Sequence, residues 1–170
     1  MRYAQGPPKD TGFKLTAENI DEYMGQAIEL DKYLHNAKSI YDLQHKIKNP
    51  ELIESDLYTK EYLELRLTRL TNGLTESDKT FVNKLVEARS QLAEINKQID
   101  HIRPRVFTES DPVLHEHMSS LDDARIAGED AIANICAERY PHLKEHLGKI
   151  FYMIVEGCDI NTVQSCFRQM

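Results

Sequence analysis

Glycine and proline are scarce in this chain of 170 residues, at seven and six. The prolines fall between segments of helical periodicity, and no credible strand alternation or 20–50-residue repeat interrupts those segments. Cysteine is sparse too: Cys136, Cys158 and Cys166, with no CxxC pair. An odd, widely spaced set excludes a disulfide framework and suits unbridged thiols in a reducing compartment, so a cytoplasmic location is expected. Long apolar runs are missing. The longest, IFYMIV at 150–155, falls far short of the roughly 20 residues a membrane span needs. The opening MRYAQGPPKDTG is polar and lacks the apolar core of a signal peptide. A basic excess is missing as well, since 28 acidic residues face 21 basic ones for a net charge of −7. That balance repels phosphate backbones and anionic membrane surfaces, so neither nucleic acid nor membrane is expected as a partner.

Chemistry-bearing motifs are equally thin. Gly73, Gly128, Gly148 and Gly157 stand alone, so no glycine-rich phosphate loop exists, and G-x-S-x-G, GK[ST] and D-x-D loops are absent. Cys158 and Cys166 sit near Glu156 and Asp159, which oppose the thiolate a nucleophile needs. The DDAR stretch at 122–125 reads as first-turn dipole compensation of a helix rather than paired catalytic carboxylates.

One stretch, HLKEH from His142 to His146, has the H-x-x-E-H order of the inverzincin metalloproteases. Its histidines lie about 40° apart on a helix. If that helix runs unbroken from Pro141 to about Glu156, then Leu143, Leu147, Ile150 and Ile154 form its core stripe, centred about 100° away from the pair. Lys149 then falls on the histidine side and pairs with Glu145 at i, i+4. On that geometry the segment is a solvated helix face. No metal, cofactor or catalytic residue is expected, and a metal-dependent hydrolase or helical metalloprotein built on His142, Glu145 and His146 is the alternative. His115 offers that alternative one more ligand; His117, two residues on, points away from it.

Heptad stripes are what the chain does have. Ile20, Tyr23, Ala27, Leu30, Leu34, Ala37 and Tyr41 repeat at three- and four-residue steps, opened by Thr16 as a helix cap and stopped at Asn49-Pro50. A second helix over roughly 51–71 carries Leu57, Tyr58, Tyr62, Leu63, Leu65, Leu67 and Leu70 widely around its surface, which predicts more than one neighbour. A third, over 76–102, repeats Phe81, Leu85, Ala88, Leu92, Ile95, Ile99 and Ile102 and stops at Arg103-Pro104. Its first half is broadened by Val82 and Val86; its second half narrows to a two-helix seam. Beyond the linker come a short helix over 112–119, a helix over 121–139 with Ala124, Ala127, Ala131, Ile132, Ile135 and Cys136 as a small-residue face, and the Pro141 helix closed by Gly157. A last stripe of Ile160, Val163, Phe167 and Met170 is capped by Asp159 and meets the end of the chain, as a docking helix or the ordered part of a longer protein would.

The expected fold is all-α: an extended tail over 1–15, an elongated antiparallel bundle over 16–103, a linker over 104–110 and a compact cluster of shorter helices over 111–170. The seams are either the chain's own core or a contact with other chains. On the second reading Leu92, Ile95, Ile99, Ile102, Ile160, Val163 and Phe167 are the interface residues. The expected function is non-enzymatic: a helical scaffold, adaptor or assembly protein, with a virion component among the possibilities. Its partner is a second copy or another helical protein.

Overall fold

The computed structural model describes residues 14–49, 51 and 59–169. The expected tail up to residue 13, the Pro50 stop, Leu57, Tyr58 and Met170 lie outside the described residues. Within them the chain is all-α, with no strand: α1 (Ile20–Lys48), α2 (Lys60–Asn72), α3 (Glu76–Thr108), α4 (Pro112–Arg139), α5 (Pro141–His146), α6 (Gly148–Val155) and α7 (Ile160–Arg168). Among these residues no helix is long and apolar enough to cross a membrane.

The starts of α2, α3, α4 and α7 follow side-chain caps, whereas α5 and α6 begin without one. The hydroxyls of Thr59 and Thr75 accept from the backbone N–H of Tyr62 and Asp78, satisfying first-turn donors that have no partner within the helix. Asp111 accepts from Val113 N at 3.0 Å, ahead of Pro112 at the first helical position. Asp159 accepts from Asn161 N at 2.7 Å. Thr16 plays a different part from the expected cap. Its carbonyl accepts from Ile20 N at 2.9 Å, while its N–H donates to Asn19 Oδ1, so α1 begins one turn later. Gly157, at φ 91°, closes α6 in the left-handed conformation that glycine adopts without a Cβ penalty, and Cys158 N reaches back to Met153 O.

Three further stretches differ from the sequence expectation in their extent. First, α3 runs through Pro104 to Thr108, so the linker shrinks to residues 109–111. Proline removes one ladder bond. The ladder resumes beyond it: Glu109 N donates to Arg105 O, and the Thr108 hydroxyl donates to Pro104 O. Second, α4 is one helix rather than two. Its buried stripe holds Leu114, Leu121, Ile132 and Cys136, with Met118, Arg125 and Gly128 half-buried in the same series. Ala127 and Ala131, assigned to a packing face, are exposed. Asp122 therefore lies inside α4 rather than at a helix start, and it pairs with Arg125 at 3.7 Å. Third, the Pro141 helix breaks at Leu147 (φ −130°, ψ 51°) into α5 and α6.

The chain packs as two compact units, one from the segment up to His35 together with the segment from Ala133 onward, the other Asn36–Ile132. In the first, Leu30, Leu143, Ile150, Phe151, Ile154, Val163 and Phe167 are almost fully buried. The expected stripe of Leu143, Leu147, Ile150 and Ile154 is buried throughout despite the break. In the second, Ala37, Ile40 and Leu43 of α1, Leu63 of α2 and Phe81, Val82, Leu85, Val86 and Ala88 of α3 are buried. Ile99 and Ile102 form a further cluster with Leu121 of α4, and Ile95 and Met118 pack against it. Among the described residues of α2 only Leu63 is buried, while Tyr62 and Leu65 face solvent, so this helix is not wrapped by neighbours as its sequence suggests.

Candidate functional site

Two places on the molecule offer chemistry to a ligand or partner, one in each unit. The first is α5. Pro141 starts this turn and Leu143 is buried beneath it, while Leu147 N bonds back to Leu143 O. On its outer side His142, Glu145 and His146 each bring one ligand atom to within 4.8 Å of the others. The imidazole rings of His142 and His146 are stacked, their planes 9° from parallel and their centroids 5.9 Å apart. Glu145 Oε2 is 3.7 Å from His142 Nδ1. Tyr23 of α1 meets the His146 ring edge-on, with centroids 6.2 Å apart and planes at 85°. The Tyr23 hydroxyl is held above its ordinary pKa, first by desolvation and then by the negative charges of Glu22 and Glu145.

The break at Leu147 changes the phase argument made from the sequence. Lys149 belongs to α6, on the far side of a non-helical residue, so a constant turn per residue no longer carries it from α5 onto the histidine face. The polar contact that Glu145 makes is with His142, its neighbour one turn back.

A polar contact nearby, in the same unit, ties α1 to Tyr140, the residue between α4 and α5. Tyr140 Oη donates to Glu29 Oε1 at 2.8 Å. Burial pushes this phenol far above its ordinary pKa, and the bond to Glu29 adds to the shift. The Arg139 guanidinium lies 5.1 Å over the Tyr33 ring.

The second place is the α3–α4 turn. Phe107 is 83% exposed near the end of α3 and Val113 is 71% exposed near the start of α4. The residues named from the heptads lie elsewhere. Ile99 and Ile102 are buried in their own unit, with Ile95 packed on them. Leu92 is half-buried and sits where a Cβ added to Gly128 of α4 would come within 3.2 Å of its Cδ1. Val163 and Phe167 are buried and Ile160 is half-buried. Phe107 and Val113 have no stripe to announce them; an aromatic ring beside a helix end followed by Asp-Pro was the available signal.

No family model, curated protein or solved structure matches the chain.

Proposed function

We propose that this chain is a non-enzymatic helical interaction protein, a scaffold, adaptor or particle component that binds other copies or other proteins through helix surfaces in a reducing, cytoplasmic setting. The carrying observation is the exposure of Phe107 and Val113 on either side of one short turn. A phenyl ring left in water forgoes transfer free energy of about 2 kcal/mol, which burial of Phe107 against a partner would recover. Charge supports the same reading, because a net −7 disfavours nucleic acid and anionic lipid and leaves protein as the partner class. In the stripes, the almost complete burial of Ile99 and Val163 makes those positions core first; contact with a partner falls to residues that already face outward.

Light scattering with mass determination over a concentration series tests this, on wild type and on Phe107→Asp/Val113→Asp. Wild type is expected to gain mass with concentration, and the double variant to stay a folded monomer. A wild type that is monomeric throughout, or a variant that associates as well as wild type, overturns self-association through this turn.

A further inference from the structure

We propose that His142, Glu145 and His146 form a binding site for one divalent first-row transition metal, with Zn²⁺ the best match to the donor set. This is independent of the α3–α4 contact and lies in the other unit.

Two imidazole nitrogens and one carboxylate oxygen suit zinc, nickel, cobalt or copper; calcium and magnesium ask for oxygen donors. The three ligand atoms lie within 4.8 Å of one another. A tetrahedral zinc, with ligand bonds near 2.1 Å, needs them roughly 3.4 Å apart. His142 and Glu145 are exposed over more than half their side-chain surface, so small side-chain rotations close that gap without moving the backbone. Glu145 is already turned toward the His142 ring, and the two rings are already parallel. Tyr23 holds the His146 ring from its edge, and the burial of Leu143 and Leu147 fixes the turn that carries all three groups.

An ordinary solvated pair accounts for less of this arrangement. An exposed His142–Glu145 contact needs no third group, and such pairs contribute little on their own. Helical phase sets neither lysine of this stretch beside the histidines. Lys144 is two residues from each histidine and projects from another side of α5, and Lys149 is exposed on α6. Three protein ligands leave a fourth position for water or a donor atom of a bound molecule.

The experiment is calorimetric titration of the full chain with ZnCl₂, paired with the visible absorption of Co²⁺ as a probe of tetrahedral coordination. Wild type is expected to bind one equivalent per chain. His142→Ala and His146→Ala should each weaken binding by about tenfold or more, and Glu145→Gln by less. His35→Ala, an exposed histidine of α1 beside Asp31, should bind as wild type. Circular dichroism checks that each variant is folded; the His142 side chain is 69% exposed, so its variant keeps the test decisive should His146→Ala unfold. Absence of stoichiometric Zn²⁺ binding overturns the proposal. So does undiminished binding by His142→Ala, or a loss as large in His35→Ala.

Discussion

Asn36–Ile132 is filled by apolar residues at helical spacing, mostly aliphatic, such as Leu85, Val82 and Ile99, with Phe81 among them. It also holds five of the six large hydrophobic residues found exposed among the described residues: Tyr62, Leu65, Phe107, Val113 and Ile126. The other unit, which joins the segments up to His35 and from Ala133, leaves only Ile28 in that class. It surrounds a core containing Phe151 and Phe167 with specific polar and ring contacts: Tyr140 to Glu29, Arg139 over Tyr33, Tyr23 against His146. The difference teaches where to look for each kind of activity. Non-directional apolar exposure, suited to partner contact, is concentrated in one unit; directional groups that can hold a ligand are concentrated in the other.

The largest expected effects probe whether the two cores are separate. Phe151→Ala empties a site of 0% exposure in the first unit and should cost about 3–5 kcal/mol. Leu85→Ala, also at 0% exposure but in the second unit, should cost roughly 2–4 kcal/mol. Native-state hydrogen exchange of Phe151→Ala should lose protection in α6 and α7 more than in the first half of α3. Equal loss in both would break the comparison and make the chain one cooperative body.

A smaller effect sharpens the polar side of the contrast. Tyr140→Phe removes the 2.8 Å bond to Glu29 while keeping the buried ring, and should lower stability by about 1 kcal/mol in chemical denaturation. No change would mean that apolar packing alone holds α1 to the Tyr140 segment.

The smallest effect is a gain. The Asp31 carboxyl is held above its ordinary pKa, first by desolvation and then by Asp159, with His35 opposing. Its folded-state pKa is therefore raised. The corresponding stability is fully present below the unfolded value and is lost as pH rises through the folded one, so at neutral pH the charged carboxylate is a liability. Asp31→Asn should add up to about 1 kcal/mol at pH 7 and flatten the decline in stability between acid and neutral pH. A loss of stability would show that the His35 contact outweighs burial.

Legibility from the sequence followed the purity of each stripe. Ala27, Leu30, Leu34 and Ala37 of α1 and Phe81, Leu85 and Ala88 of α3 were read from spacing alone and are buried. The α4 stripe was misread because Arg125 and Gly128 interrupt its apolar series. Arg125 satisfies its charge with Asp122 and Glu129 beside the stripe, and Gly128 lets Leu92 approach. The break at Leu147 was hidden for the opposite reason. Leu143, Leu147, Ile150 and Ile154 keep helical spacing across it, so hydropathy registers no interruption, and an unbroken helix sets a different phase for Lys149 than α5 and α6 do.

By itself the sequence determined the all-α class, the caps at Asp111 and Asp159 and the helix stop at Gly157, because each depends on residues within a turn or two of one another. Only the tertiary structure decided that the heptad seam at Ile99 and Ile102 is filled by Leu121 of the same chain. It alone set Tyr23 against His146 and Glu29 against Tyr140, 111 residues away in the chain. Spacing shows that a helix has an apolar face. Which surface covers that face depends on the free energy of all the faces packed together, a quantity that no local segment contains.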